Sequence, residues 1–271
     1  MSEVNVPTVA TATELAAKTP PLVEGLLRLG DNALMLSQRL SVWCGHGPAL
    51  EEDIAMTNVA LDLLGQARLW LTLAGQIEGA GRDEDRLAYH RDAAQFRNAL
   101  LVERPDTDYA HTIVRQFFFD VWHYFLLQEL AVSSHAEIAG VAAKSLKEVT
   151  YHVRRSSDVV VRLGDGTEES HRRMQLAIQA LWPYVGELFV DDAVEQAWSA
   201  HGWGPLMQTL QPEWLSHVGE VLLEAKLEMP APELAVFEAF RGGKTGRHTE
   251  QLGLLLAEMQ FLQRAYPGAK W

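Results

Sequence analysis

Lys144-Ser145-Leu146-Lys147-Glu148-Val149-Thr150-Tyr151-His152-Val153-Arg154-Arg155 reads as the middle of a long helix. Apolar side chains recur at Ile138, Ala142, Leu146, Val149 and Val153, the spacing that turns one helical face inward. Glu148 and His152 are four residues apart, so they share a face one turn from each other. Their row lies one residue off the apolar one, and Ser145 and Arg155 extend it. A carboxylate and an imidazole beside a buried face are what a helical bundle needs to hold a metal pair. They also suit a metal-free polar network. The helix is predicted from about Ala136 to Leu163, and Gly164-Asp165-Gly166 ends it, because glycine accepts the left-handed backbone of a helix end.

The rest of the chain repeats this pattern. Leu22, Leu26, Leu29, Leu36 and Leu40 mark a first helix to Trp43, stopped by Gly45, Gly47 and Pro48. A second is predicted from Ala49 to Glu78, opened by Glu51, Glu52 and Asp53 where the helix dipole favours acids. Its expected core face is Ile54, Leu61, Leu64 and Leu71, beside a polar stripe of Asn58, Asp62 and Gln66. Asp85 to Val102 reads as one or two shorter helices, broken by Pro105 and Asp106. Tyr109 to Val132 reads as a long aromatic helix with a second polar stripe, Gln116, Asp120 and His123. Thr167 is the expected cap of a helix from Ser170 to Phe189, kinked at Pro183. Further helices are expected over Asp191 to Ala200, Glu213 to Leu227 and His248 to Tyr266. Met229-Pro230-Ala231-Pro232 reads as a linker. No stretch alternates apolar and polar residues as a sheet would. The predicted architecture is an all-α bundle with additional C-terminal helices, one domain over residues 21–271 after a mobile tail over residues 1–20.

The chain has 271 residues, 48% of them hydrophobic, enough to bury a full core. A formal net charge of -13 argues against a nucleic-acid coat or a direct hold on anionic membrane. The single cysteine, Cys44, excludes an internal disulfide and is expected to be a small buried hydrophobe at a helix end. The most apolar stretch, Phe117 to Val132, is interrupted by Asp120, His123, Gln128 and Glu129 and is too polar to span a bilayer. The first twenty residues lack the basic start and apolar run of a signal peptide, so the expected compartment is the cytoplasm.

A ferritin-like di-iron site needs a carboxylate from each of two helices and a Glu-x-x-His pair from each of two more. Here the first helix offers only Asp31 or Gln38. The second offers Asp62, with Gly65 where an imidazole is needed. Asp120 and His123 have the right spacing and a shorter acid, and Glu148 is one residue out of step with His152. Asp62, Asp120, His123, Glu148 and His152 thus make a degenerate site. Two readings stand: a polar network without metal, or one or two bound ions. Gly242-Gly243-Lys244-Thr245-Gly246 resembles a phosphate loop only in part. Glu238 stands where the pattern needs glycine, so a turn before a helix capped near Thr249 is the better reading. Glu168-x-x-His171 lies in a charged first turn and reads as solvated. Trp43, Trp198, Trp203 and Trp271 lie near helix ends or loops, where aromatic side chains often anchor subunit interfaces.

Several long motifs, in order, carry a family resemblance. They are Arg28-Leu-Gly-Asp-Asn-Ala-Leu-Met-Leu-Ser-Gln-Arg39, Trp43-Cys-Gly-His46, Leu61-Asp-Leu-Leu-Gly-Gln-Ala-Arg68 and Lys147-Glu-Val-Thr-Tyr-His-Val-Arg154. Gly242-Gly-Lys-Thr-Gly-Arg-His-Thr-Glu-Gln-Leu-Gly253 and Leu256-Ala-Glu-Met-Gln-Phe-Leu-Gln-Arg264 complete the set. From Leu22 to Trp271 the chain resembles the PaaC family, the C subunits of bacterial ring-1,2-phenylacetyl-CoA epoxidase. The resemblance implies a ferritin-like fold and a place in a multicomponent monooxygenase of phenylacetate catabolism. That enzyme uses oxygen and NADPH to epoxidise the aromatic ring of phenylacetyl-CoA. It further implies that the di-iron centre belongs to the partner A subunit, and that flavin and iron–sulfur reside in the reductase subunit. The C subunit itself is then a non-catalytic structural partner without cofactor or metal. The other reading of the residues is a catalytic di-iron subunit with its own site. Gln95, Phe96, Arg97 and Asn98 match the family's Gln-Phe-x-Asn segment, which the resemblance places near the CoA thioester at the A interface. The Arg97 cation suits a CoA phosphate; the plainer alternative is that these residues pack or cap a helix.

Overall fold

The computed structural model describes residues 20–231 and 240–269. The tail over residues 1–19, Pro232 of the linker and Trp271 lie outside them. Among the described residues there are ten α-helices and no strand. They are α1 (Pro21–Ser41), α2 (Leu50–Glu78), α3 (Glu84–Tyr89), α4 (Tyr109–Leu130) and α5 (Ala136–Gly164), then α6 (Glu168–Leu181), α7 (Ala193–Ala200), α8 (Gln211–Glu224), α9 (Glu250–Met259) and α10 (Phe261–Ala265). Short 3-10 turns fill several connections.

Four long helices make the bundle. α1 packs along α2, α4 packs along α5, and α2 meets α5, so the two pairs close on each other. This is the all-α, ferritin-like architecture that the sequence predicts. α6 and α8 cover α4 and α5, and α7 covers α1. Local chemistry fixes the helix ends. Pro21 opens α1 where a missing N–H costs nothing. Asp108 accepts from the His111 N–H at the start of α4, and Thr167 accepts from the Ser170 N–H at the start of α6. Gly79 closes α2 with φ 67°, a left-handed turn that other residues resist.

The core is aromatic where α4, α6 and α8 meet. Phe118, Trp182 and Trp214 are fully buried, with ring centroids 5.6 to 5.7 Å apart. Such ring pairs contribute about 0.5–1.5 kcal/mol each beyond their buried area.

Four expectations are corrected. The face of α2 that packs inward is Met56, Val59, Ala60, Leu63, Ala67, Trp70 and Leu71. Ile54 and Leu61 are 53% and 60% exposed, and Leu64 is also exposed. α2 carries apolar side chains on two rows, so periodicity admits both; the row that ends in Trp70 and Leu71 is the one buried. The helix expected to run through Pro183 instead stops at Leu181 and continues as 3-10 turns, Trp182–Tyr184 and Gly186–Phe189. Proline supplies no N–H to continue the helical ladder. Cys44 is exposed, because the chain after Ser41 leaves the bundle as a surface turn. Thr249 occupies the cap position of α9, but its side chain makes no capping bond.

α1 is buried along most of its length although it carries charge. Glu24, Arg28 and Asp31 each find a partner distant in sequence. Glu24 pairs with Arg97, Asp31 with Arg91, and Arg28 with Asp192 and Glu195 at 2.7 Å each. Lys244 adds a bond to Glu195 at 2.6 Å. A buried charge is tolerated only when paired and hydrogen-bonded, so these contacts fix where residues 91–97, α7 and the glycine turn sit against α1. The glycine turn packs on the 94–100 segment. A Cβ on Gly243 would overlap the Asn98 carbonyl oxygen, and one on Gly246 would overlap that of Ala94.

Candidate functional site

The centre of the bundle gathers the polar stripes of α2, α4 and α5. α2 supplies Asp62 and Gln66, α4 supplies Gln116, Asp120 and His123, and α5 supplies Ser145, Glu148, His152 and Ser156. Their helical spacing forces this meeting, since residues three and four apart stack on one face. Gln66 Nε2 donates to Glu148 Oε2 at 2.9 Å, and His152 Nε2 donates to Asp62 Oδ2 at 3.0 Å. Gln116 Nε2 donates to Asp120 Oδ1 at 2.6 Å, one turn along α4. The five residues singled out in the sequence therefore lie together.

Asp120 and His123 are buried, and each leans toward its neutral form. Burial pushes the Asp120 carboxyl up to about 6, although His152, the Ser156 hydroxyl and the Gln116 amide draw it back in part. Burial brings the His123 imidazole down to about 3, and the neighbouring His152 adds to the effect. Beside this centre, Glu52 collects the Tyr109 hydroxyl at 2.8 Å, Arg155 at 2.5 Å and Arg162 at 2.8 Å. That cluster ties the start of α2 to α4 and α5.

These residues do not fit a metal pair. Among the described residues no three His, Cys, Asp or Glu side chains form a group able to hold a metal ion. The carboxylates of Asp62 and Glu148 are engaged by His152 and Gln66. Asp31, the acid that α1 offers, is engaged by the Arg91 guanidinium and the Arg97 N–H. An open amide or glycine cannot replace the missing imidazole and carboxylates of a di-iron set.

The Gln95–Asn98 segment is a second cluster, away from the bundle centre. Gln95 closes a capping box by accepting from the Asp92 N–H at 2.8 Å. Phe96 is fully buried beneath the Arg91 guanidinium, 4.2 Å from its ring centroid. Arg97 is 4% exposed. Its guanidinium is bound to Glu24 and to the carbonyls of Ala94 and Phe96 at 2.9 and 2.8 Å. Asn98 donates to Glu103 Oε2 at 3.1 Å. Glu103 also accepts from His248 Nδ1 at 2.9 Å and from the Thr249 N–H at 2.7 Å. It thereby caps α9, where the threonine side chain does not. Sequence reasoning missed this carboxylate and the charged face of α1; the only signal was acids and bases at otherwise apolar helix positions. Of the other residues weighed, His171 Nδ1 bonds the Gly164 carbonyl at 2.8 Å and so helps close α5. Trp43 bonds Thr112 and Trp198 bonds the Pro21 carbonyl. Lys244 donates to the Val190 carbonyl at 2.8 Å, so the glycine turn spends its cation within the fold.

Fold and centre together define a ferritin-like helical protein with a carboxylate–imidazole–amide cluster between its long helices. The family model described as phenylacetic acid catabolic protein matches residues 1–271, and the chain belongs to that family. It is 48% identical over 246 residues to the C subunit of 1,2-phenylacetyl-CoA epoxidase from Escherichia coli (strain K12), an overlap that covers 90% of this chain and 97% of that protein.

Proposed function

We propose that the chain is the C subunit of a ring-1,2-phenylacetyl-CoA epoxidase and serves phenylacetate catabolism as a non-catalytic partner of the di-iron A subunit. The enzyme as a whole epoxidises the ring of phenylacetyl-CoA with oxygen and NADPH, electrons reaching it through a flavin and iron–sulfur reductase subunit. The observation that carries the reading is the bundle centre. A chain so similar to an epoxidase C subunit keeps the ferritin-like frame with an incomplete ligand set: Gly65 stands where an imidazole is needed, Asp31 is held by Arg91 and the Arg97 N–H, and Asp62 and Glu148 are engaged by His152 and Gln66. Its work is then mechanical: a rigid bundle, stiffened by buried ion pairs, against which a catalytic neighbour is held. No helix of the described residues is long and apolar enough to cross a membrane, in keeping with such a role.

The Gln95–Asn98 segment supports the CoA site through packing in this reading. Arg97 is fully engaged by Glu24 and two carbonyls, so the segment shapes a wall instead of offering its cation to a phosphate.

Co-expression with the A subunit, followed by iron analysis of the complex and of the chain alone, tests the proposal. The expected result is a stable complex whose iron follows the A subunit, with none stoichiometric in the chain alone. Two irons per chain, with oxygen consumption by this chain, would support instead a catalytic subunit using Asp62, Asp120, His123, Glu148 and His152. Unchanged ring epoxidation after deletion of the chain would overturn any epoxidase role.

A further inference from the structure

Six buried polar atoms at the bundle centre have no hydrogen-bond partner within the chain. They are Gln66 Oε1 on α2, Gln116 Oε1, Asp120 Oδ2 and His123 Nδ1 on α4, and Ser145 Oγ and His152 Nδ1 on α5. Their residues are all 3% exposed or less. Native interiors leave very few such atoms unpaired, because each costs about 1–3 kcal/mol. Others are scattered through the chain, but these six fall on three helices around one network.

The set combines two fixed acceptors with four atoms of either role. Gln66 and Gln116 have committed their Nε2 donors to Glu148 and Asp120, so their free Oε1 atoms can only accept. Asp120 Oδ2 accepts when ionised. His152 Nε2 faces Asp62, and its Nδ1 is left without a partner. Asp120, His123, Ser145 and His152 can each give or accept, according to where their protons sit. Atoms of this kind call for a partner that can both donate and accept hydrogen bonds, as water does. Metal ions are the other partner of acceptors, but the carboxylates and imidazoles here form no metal-binding group among the described residues.

We propose that the bundle centre is a built hydration site: two or more ordered waters bridge Gln66 Oε1, Gln116 Oε1, Asp120 Oδ2 and His152 Nδ1. A water makes about three bonds to otherwise unsatisfied buried groups, which suits acceptors brought together from three helices. The guests complete a chain of polar contacts from Asp120 through His152 to Asp62, whose side chain is 36% exposed. The buried carboxyl then exchanges protons with solvent without opening the bundle. The inference rests on the metal-free reading of this centre given above.

The test is a high-resolution crystal structure of the full chain, grown once without added metal and once after soaking with Mn(II), Fe(II) or Zn(II), with anomalous data at each edge. The expected result is water within hydrogen-bond distance of Gln66 Oε1, Gln116 Oε1 and Asp120 Oδ2, and no anomalous peak. A peak ligated by Asp120, His123 or His152 overturns both this inference and the metal-free reading. A dry centre, its side chains re-paired with one another, overturns this inference alone. Water-oxygen relaxation dispersion in solution gives a second measure. Gln116→Met keeps the volume and removes the acceptor, and should lower the count of long-lived internal waters relative to the wild type. An unchanged count in a folded variant also overturns the proposal.

Discussion

Replacing Asp120 by Asn should change how stability depends on pH, and by a predictable sign. In the unfolded chain an aspartate titrates near 3.9; in the folded bundle burial moves Asp120 up to about 6. Between these values the folded state binds the proton more tightly, so this group stabilises the fold below about pH 4 and loses that contribution as pH rises through about 6. A shift of about two units corresponds to about 3 kcal/mol. His123 works in the opposite direction. Its folded value falls to about 3 from an ordinary 6.5, so its contribution is present above 6.5 and is lost as pH falls toward 3. From about pH 4 to 6 the two slopes oppose one another, each about 1.4 kcal/mol per pH unit. Asp120→Asn keeps the shape and the acceptor for Gln116 but removes one slope. The measurement is urea unfolding of the wild type and the variant at steps from pH 4 to 7, reading the difference in unfolding free energy. Other carboxylates cancel in that difference. The wild type should gain about 3 kcal/mol on the variant as pH falls from 7 to 4. Parallel profiles would refute the argument that burial raises the Asp120 carboxyl.

Three further outcomes are expected. Glu103→Ala leaves the His248 ring, the Asn98 amide and the Thr249 N–H without their shared acceptor, and should cost about 3–5 kcal/mol; hydrogen exchange should rise first in α9 and α10. Gly246→Ala introduces a Cβ that overlaps the Ala94 carbonyl at a φ of 82°, and should lower stability by about 2–4 kcal/mol in chemical denaturation. Gly65→Ala and Gly140→Ala meet no atom within 4 Å, lie inside helices and should each stabilise the isolated chain by about 0.5–1 kcal/mol, seen as a higher Tm.

The bundle was legible because the long helices repeat their apolar residues over several turns, and α4 and α5 follow that pattern from Tyr109 and Ala136 onward. The polar centre was legible too, since Asp62, Asp120, His123, Glu148 and His152 stand on faces that only meet inside a bundle. What periodicity could not decide was α2, where Leu61 and Leu63 are equally apolar and only packing against α1 and α5 chooses between them. Nor could the sequence show that Arg97 is bound by Glu24. The two are 73 residues apart, and nothing local marks either as a partner. Long-range charge pairing carries no spacing rule, so nothing in the sequence singles out Glu103 and Glu187, although both are buried.

The charges on α1 have a consequence for synthesis. Glu24, Arg28 and Asp31 leave the ribosome early, whereas Arg91, Arg97, Asp192, Glu195 and Lys244 follow much later. At roughly 5–20 residues per second, α1 waits on the order of ten to thirty seconds for its acidic partners on α7. Arg97 and Arg91 reach Glu24 and Asp31 sooner, but Arg28 has no one to pair with during that interval, so α1 cannot settle into an apolar interior with α2 alone. The nascent chain should keep its first helix hydrated and open to chaperones until residue 195 has emerged, and truncations that stop before it should yield protein that degrades instead of a smaller bundle.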